Sequence, residues 1–425
     1  MTGPGVDALV EHLFRKRAGQ MVACLTRAFG PAQVDLAEEV VQEALVKALQ
    51  HWPHHGVPDN PGAWLISVAR NSALDALRRG AAFREREGAV LAEIQRANDA
   101  GLSEDALDRA FEDDELQMLL LCCDPSLSPD ASVALALKTV GGFSVAEISR
   151  AFLAEPSAIA QRLVRAKRQL REAGVRFEME AGGTDSKRLD ATLEALYLMF
   201  NEGYTAHGGE CLVRADVCLE ALRLTRLLAS NPRTASPRAD ALAALMAFHA
   251  ARLPARVDDA GDLIVLGEQD RGKWARRLLA IGFEHLDRGA RGDEMTVYHV
   301  QAAIAAVHAR SAVVPVKESD GADTAWLEIL ALYDQLCAMT PSPVAALNRA
   351  VAVARVNGPA AGLAAIDAIE TADALDNYYL LPAVQGQLWA ELGDTARAAD
   401  AFREALTKPC SEPERRFIQR KLDNI

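Results

Sequence analysis

Hydrophobic and polar residues follow one another along most of this chain with the three-to-four-residue period of amphipathic helices. The stretch 60–79, NPGAWLISVARNSALDALRR, shows the pattern clearly. Asn60 can cap a helix, and Pro61 at the first helical position has no N–H to leave unpaired. The apolar face is predicted to contain Ile66, Ala69, Ala73 and Leu77. The polar face is predicted to contain Trp64, Ser67, Asn71, Asp75 and Arg78, followed by Arg79.

The same period appears just upstream, in residues 36–49, LAEEVVQEALVKAL. There the pattern turns Val41, Ala44, Leu45 and Ala48 inward, and it turns Glu38, Glu39, Gln42 and Glu43 outward. The segment 51–59, HWPHHGVPD, is predicted to be a proline-broken loop between the two helices. No alternating, strand-like run of useful length is present, so the prediction is an all-α protein.

A second helical group is predicted in residues 111–174, with a turn at 125–129 and a break at Gly141-Gly142. A short helix containing Val145 and Ile148 then precedes a longer one that starts near Pro156. The apolar face of the longer helix holds Ile159, Leu163, Ala166 and Leu170, and its outer side holds Ser157, Gln161, Arg162, Arg165 and Arg168. A short helix, a tight turn and a basic second helix are typical of a helix-turn-helix, whose second helix enters the DNA major groove.

The rest of the chain is predicted to be a series of amphipathic helices with loose boundaries: 189–202, 212–230, 238–252, 272–288, 294–310, 322–340, 343–357, 360–370, 377–392 and 395–407. Near the end, six residues match a tetratricopeptide unit in spacing: Gly386, Trp389, Gly393, Ala398, Phe402 and Ala405. We therefore expect stacked helix pairs in this extension.

Composition narrows the possible functions. A chain of 425 residues is long enough for two or three domains. Its net charge of −13 argues against a protein that coats DNA unaided, because nonspecific affinity comes from neutralising phosphates. Seven cysteines at irregular spacing, no signal peptide and no long apolar run lead us to expect a cytoplasmic protein with reduced thiols and no membrane contact.

The stretch AEEVVQEALVKA followed by PGAWLISVARNSALDALRR resembles region 2 of the extracytoplasmic-function sigma factors of bacterial RNA polymerase. The helix-turn-helix candidate follows where region 4 of that family is found. The resemblance implies that Glu38, Glu39, Gln42 and Glu43 bind core RNA polymerase (its beta and beta-prime subunits). It also implies that segment 51–79 captures a flipped base and opens the minus-ten element of promoter DNA, while the second helix-turn-helix helix reads the minus-thirty-five element.

The resemblance extends to the family's subgroup with a long tetratricopeptide-like C-terminal extension. It implies region 2 at 1–80, a linker at 81–108, region 4 at 109–175, a second linker at 176–188 and a regulatory extension at 189–425. Within region 4, Ser157, Gln161 and Arg162 are expected at base edges, and Arg165 and Arg168 at phosphates. The extension is expected to respond to a regulatory protein or a ligand, and the sequence does not choose between inhibition and activation.

Several polar residues lie among apolar ones in the extension, including Tyr204, His249, Arg252, Gln269, Arg271, Trp274, Gln301 and His308. Hydrogen-bond networks between helices explain most of them, and a ligand or catalytic site is the alternative. No nucleophile elbow, phosphate loop or paired-carboxylate motif is present, so we predict no enzyme, no catalytic residue, no metal and no cofactor. Two rival hypotheses are a helix-turn-helix regulator with a helical effector-binding domain, and an enzyme fused to a DNA-binding module.

Overall fold

The computed structural model of the chain describes residues 4–58, 60–79, 104–152, 154–175, 177, 185–204, 213–258, 260–313, 321–369 and 375–425. The protein folds as two compact units, Met1–Leu198 and Met199–Ile425. Across the described ranges, the β-structure amounts to an isolated antiparallel bridge between Val257 and Leu263, and no strand forms. The all-α prediction is therefore confirmed.

The helices of the first unit are α1 (Pro4–Phe29), α2 (Val34–His55), α3 (Pro61–Arg79), α4 (Glu104–Cys122), α5 (Pro129–Thr139), α6 (Val145–Ala151), α7 (Pro156–Glu172) and α8 (Ser186–Tyr204), whose last turns belong to the second unit. The second unit continues with α9 (Ala215–Ser230), α10 (Pro237–Ala251), α11 (Arg276–Gly289), α12 (Val297–Val313), α13 (Gly321–Met339), α14 (Pro343–Asn357), α15 (Pro359–Asp367), α16 (Leu380–Glu391), α17 (Thr395–Thr407) and α18 (Glu412–Asp423). The predicted linker 81–108 lies outside the described residues as far as 103, and α4 begins at Glu104.

Helix α3 begins where the sequence predicts. The side-chain oxygen of Asn60 accepts a hydrogen bond from the backbone N–H of Ala63 at 3.0 Å, which caps the first turn. The buried face is displaced slightly from the predicted one. Leu65, Ala69 and Ala73 are fully buried, whereas Ile66 is only partly buried. Packing in the core thus buries Leu65 more deeply than Ile66, although the helical period is as predicted.

The prediction of a loop across 51–59 is wrong for its first half, because α2 continues to His55 with Pro53 inside it. A proline within a helix costs about 3 kcal/mol. Trp52 in the same turn is 1% exposed, and burying a tryptophan contributes about 3–5 kcal/mol. The tryptophan therefore outweighs the proline and holds the last turn. The helix ends at Gly56, whose φ of 84° suits glycine.

The predicted helix-turn-helix forms in α6 and α7. A reciprocal capping box starts α6: the Ser144 hydroxyl accepts from the Glu147 N–H at 3.2 Å, and the Glu147 carboxylate accepts from the Ser144 N–H at 2.8 Å. Helix α7 begins at Pro156 as predicted. Its apolar face is confirmed, since the four predicted inward residues are all buried: Ile159, Leu163, Ala166 and Leu170.

Helix α1 packs directly against the helices around the helix-turn-helix. A Cβ atom added at Gly19 would lie 1.8 Å from the carbonyl oxygen of Val140, so the two backbones touch. Beside this contact the Gln20 amide donates to the Glu115 carboxylate at 3.1 Å, and Arg27 lies 3.3 Å from Asp114. Helices α1–α3 and α4–α7 therefore form one packed body, with the α1–α4 contact at its centre.

Helix α10 is central to the second unit. Its sequence is Ala- and Leu-rich on every side, and most of its residues are buried against α9, α11 and α12. Gly282 on α11 permits the closest approach, because an added Cβ would lie 2.6 Å from the Phe248 ring. Buried Asp240 accepts from His285 at 2.7 Å and lies 3.2 Å from Arg288, a network of the kind the sequence predicts between helices.

The ten helices predicted in the extension are all present, with ends displaced by a few residues. Helix α18 is present in the structure but was not predicted from the sequence. Its signal was a capping box, in which the Ser411 hydroxyl and N–H both bond Glu414. Helices α16 and α17 pack closely because Gly386 faces the Phe402 ring and Gly393, with φ 80°, makes the turn between them.

Candidate nucleic-acid interface

The polar face of α3 is presented to solvent. Ser67, Asn71 and Asp75 are exposed, and Trp64 is partly buried at one end of the row. Helix α3 continues through Arg78 and Arg79, but the side chains of these two arginines lie outside the described residues. The hydroxyl, the amide and the carboxylate therefore follow one another along about two turns, next to an aromatic ring.

That ring closes one side of an open pocket between α2 and α3, of about 310 Å³. The His51 ring lies against it, with ring centroids 5.8 Å apart and planes 15° apart, and the His55 ring stacks on His51 at 4.0 Å. Trp52 supports Trp64 from the buried side at 5.5 Å. The pocket is lined by Lys47, Gln50, His51, Trp64 and Val68. Flat rings beside a cationic rim suit an unpaired base and its backbone.

The sequence predicts Trp64 at this surface, but Lys47, Gln50 and Val68 are not predicted there. It assigned His51 to a loop, although the helical spacing of Lys47, Gln50 and His51 was the available signal. Lys47 is further oriented by a 2.8 Å hydrogen bond from its ammonium group to the Ser72 hydroxyl of α3. The pocket therefore depends on both helices.

The residues predicted on the acidic face of α2 differ in their exposure to solvent. Glu39, Gln42 and Glu43 are exposed, as predicted. Glu38 is not, because only 15% of its side chain is exposed and it accepts a 3.0 Å hydrogen bond from the ammonium group of Lys167 on α7. The prediction that Glu38 points outward is therefore wrong, since the Lys167 side chain reaches it from α7.

Lys167 joins the two helices by a double contact. Its ammonium group also lies 2.8 Å from the Asp35 carboxylate, and only 13% of its side chain is exposed. Burial lowers the pKa of Lys167, but the charges and hydrogen bonds of Glu38 and Asp35 outweigh burial and raise the pKa above its ordinary value. The lysine is therefore charged and held between two carboxylates, where removing it leaves Glu38 covered and unpaired.

Most of the residues predicted on the outer side of α7 are exposed to solvent. Ser157, Gln161, Arg165 and Arg168 are exposed, and Arg168 lies 3.6 Å from Glu172 on its own helix. Arg162 departs from the prediction. Its guanidinium lies 5.4 Å from the Phe152 ring and 3.7 Å from the Asp130 carboxylate, so it is directed toward α5 and α6. A hydroxyl, an amide and two guanidinium groups remain along one accessible face, which suits a DNA groove and its phosphates.

Comparison with known families bears on both surfaces. The Sigma-70 region 2 family matches residues 13–83, which contain α2 and α3, and the Sigma-70, region 4 family matches residues 117–170, which contain α6 and most of α7. The chain contains regions 2 and 4 of a sigma factor. These regions imply binding to core RNA polymerase and to promoter DNA in transcription initiation.

The sigma factor is also similar to an uncharacterised protein of Rhizobium meliloti (strain 1021), at 39% identity over 410 residues, which is 96% of this chain and 93% of the relative. Residues 188–290 match a family of unknown function (DUF6596). No solved structure matches the sigma factor. Of the helices that the structure describes, none combines the length and the apolar character required to cross a membrane.

Proposed function

We propose that this sigma factor is of the extracytoplasmic-function type and directs initiation at a two-part promoter, with its C-terminal extension acting as a fused regulatory domain. The observation that carries the proposal is the presence of two exposed polar faces, on α3 and on α7, in a chain that matches regions 2 and 4 in that order. The protein performs no covalent chemistry, and catalysis belongs to the polymerase.

The minus-ten element is assigned to α2 and α3. An unstacked base enters the pocket beside Trp64 and His51, where ring stacking contributes about 1–3 kcal/mol. Ser67, Asn71 and Asp75 then bond the edges of neighbouring bases, and Arg78 and Arg79 hold the backbone at the end of the helix. The stacking energy offsets the few kcal/mol needed to extrude a base from the duplex.

The minus-thirty-five element is assigned to α7. Ser157 and Gln161 near its first turn bond base edges, whereas Arg165 and Arg168 contact phosphates. Arg162 belongs to this face by sequence, and its contact with Asp130 has to be exchanged for a DNA contact before it reads a base. Phosphate contacts therefore position α7 on the DNA first, and Arg162 contacts a base only after it has left Asp130.

Core polymerase is assigned to the acidic face of α2. Glu39, Gln42 and Glu43 are available to a basic helical surface, and electrostatic complementarity of this kind fixes the docking register. Glu38 joins them once Lys167 is displaced. The contact between α7 and α2 therefore represents a closed arrangement that core polymerase has to open.

The extension is inferred to regulate this opening. Its last helix pairs resemble degenerate tetratricopeptide units, which supports a role in binding a partner or a ligand. The sign of regulation is testable by run-off transcription with the full chain and with a chain that ends after Tyr204. The shortened chain retains α8, which is tied to the turn after α4 through a 2.7 Å contact between Arg188 and Asp124.

The deciding experiment is capture of the full-length protein by core RNA polymerase, followed by run-off transcription from the promoters it selects. We expect stable capture and promoter-dependent transcripts. If the protein instead binds a defined double-stranded operator alone and shows no association with core polymerase, the helix-turn-helix regulator replaces the sigma factor of this proposal.

Two substitutions test the proposed roles of the α3 face and the α7 face separately. Asn71→Ala on α3 should reduce promoter opening, measured by permanganate reactivity, with little change in closed-complex affinity. Arg165→Ala on α7 should weaken closed-complex binding by about 1–3 kcal/mol and lower the slope of log affinity against log salt by about 1. Arg403→Ala, on the exposed side of α17, is the matched control and should change neither quantity. If both variants change only the thermal midpoint, the assignment of the two faces is wrong.

A further inference from the structure

Three arginines gather around two aromatic rings in the second unit. Arg252 caps the C-terminus of α10, Arg256 follows the next 3-10 turn, and Arg271 begins another one. Arg256 is 8% exposed although it carries a full charge, and Trp274 among them is 3% exposed. Arginines are seldom buried to this extent unless a negative partner accompanies them.

Each guanidinium is held in place by a ring and by one neutral acceptor. The Arg256 guanidinium lies 3.8 Å from the centre of the Tyr204 ring and donates to the Tyr204 carbonyl oxygen. Arg252 and Arg271 lie 5.6 Å and 5.7 Å from the centre of the Trp274 ring.

The acceptors of these last two arginines are the side-chain oxygen of Gln269, 3.2 Å from Arg252, and the carbonyl oxygen of His308, 3.4 Å from Arg271. A guanidinium has five N–H donors, so the described residues leave most donors of each arginine uncommitted.

The cluster consists of three cationic side chains. Within the described part of the second unit, no carboxylate forms an ion pair with Arg252, Arg256 or Arg271, whereas arginines elsewhere in that unit commonly do. Burial and the neighbouring charges of Arg256 and Arg271 lower the pKa of Arg252, against an opposing effect of Tyr204.

The two histidines add donors or acceptors but no negative charge. Burial and the adjacent arginines lower the pKa of His249 to about 3 and that of His308 to about 4, so both imidazoles are neutral at pH 7. The Nδ1 atom of His249 and the Nε1 atom of Trp274 are buried and make no hydrogen bond with the described residues. Unpartnered polar atoms at this depth are costly, and a bound ligand that supplies their hydrogen bonds accounts for them.

We propose that this arginine cluster (Arg252, Arg256 and Arg271) binds the phosphate group of a small phosphorylated molecule. Guanidinium groups bond phosphate oxygens in pairs, and a phosphate dianion offers more acceptors and more charge than a single carboxylate to three converging arginines. The rings of Tyr204 and Trp274 hold the three guanidinium groups in place for the phosphate. The proposal identifies the class of ligand that the extension binds. The biological use of this ligand rests on the proposed regulatory function, whereas the binding itself does not.

The test is isothermal titration of the full-length protein with inorganic phosphate, at constant ionic strength maintained with sodium chloride. We expect saturable binding of one phosphate per chain and a rise in thermal midpoint that follows the same saturation curve. Succinate, titrated in parallel, should bind at least about tenfold more weakly, which corresponds to about 1.4 kcal/mol. Polymerase and DNA are absent from the assay, so its outcome is independent of the sigma-factor assignment.

Arg256→Gln and Arg271→Gln should each weaken phosphate binding at least about tenfold. Arg291→Gln, at an exposed position just after α11, is the matched control and should retain the wild-type affinity. Arg271 is the less buried of the two cluster residues, so its variant keeps the test valid if Arg256→Gln fails to fold. Absence of saturable phosphate binding, preference for succinate, or full affinity in the Arg271→Gln variant would each overturn the proposal.

Discussion

His249 illustrates at the residue scale how position controls protonation. Its ring lies 5.0 Å from the Tyr204 ring and 6.4 Å from the Phe200 ring, both on α8. Burial, followed by the charges of Arg252 and Arg256 and the neighbouring His308, lowers its pKa to about 3. In the unfolded chain a histidine titrates near 6.5. The unfolded state therefore binds more protons than the folded state at any pH between these two values.

The first prediction is that acid destabilises the second unit through this residue. Since the folded pKa lies below the unfolded pKa, the free energy of unfolding falls as the pH decreases from about 6.5 toward 3, by at most about 1.4 kcal/mol per pH unit for one histidine. His249→Gln should give a shallower decline in urea unfolding experiments at pH 7, 6 and 5. Above pH 7 the variant and the wild type should run parallel, and a slope unchanged between pH 7 and 5 contradicts the assignment.

At the scale of elements, the packing of α1 against the end of α5 is controlled by one glycine. The backbone of Gly19 approaches the Val140 carbonyl so closely that no side chain fits between them. A helix-interior glycine normally costs about 1 kcal/mol relative to alanine. The close contact explains why α1 tolerates that cost, because it allows the helices to join regions 2 and 4.

The second prediction follows from this contact. Gly19→Ala improves helix propensity but forces α1 away from a backbone carbonyl that cannot rotate aside, so we expect a net loss of about 1–3 kcal/mol. Chemical denaturation monitored by circular dichroism measures it. Gly62→Ala is the control, because its added Cβ would lie 3.7 Å from the nearest heavy atom, the Asn60 side-chain oxygen. A Gly19→Ala variant as stable as Gly62→Ala shows that the α1–α5 contact is not made.

At the scale of the whole molecule, the first unit combines both promoter-reading regions in one body. The Lys167 contact covers one residue of the proposed polymerase-binding face, while the pocket beside Trp64 stays open. The covered hydrogen bond between Lys167 and Glu38 is worth about 1.5–3 kcal/mol, whereas the contact with the exposed Asp35 carboxylate is worth less. In the proposed function, polymerase has to offset this energy when it opens the contact.

The third prediction tests that competition. Lys167→Ala should weaken the closed arrangement and raise the affinity of the full-length protein for core polymerase by about fivefold or more. Arg168→Ala removes a neighbouring positive charge that faces away from α2, and its affinity for core polymerase should be unchanged. Fluorescence anisotropy with labelled protein provides the measurement. Equal affinities for wild type and Lys167→Ala show that the contact does not oppose binding.

Much of this fold can be predicted from local features of the sequence. The period of apolar residues predicts every helix of the extension except α18, and capping residues such as Asn60 and Pro156 predict helix starts. Such features depend on neighbours within about four residues, so the sequence contains them directly. The loop predicted at 51–59 failed because burial of Trp52, a tertiary contact, overrides the local effect of Pro53.

The sequence by itself determined the all-helical class, the order of the two sigma regions and the exposed rows on α3 and α7. Only the tertiary structure decided which of those residues stay free. It covers Glu38 with Lys167, directs Arg162 toward Asp130, and brings Arg252 and Arg271 to Trp274 and Arg256 to Tyr204. The reason is physical: helical periodicity is set by local backbone geometry, whereas ion pairs and ring contacts join residues far apart in the chain.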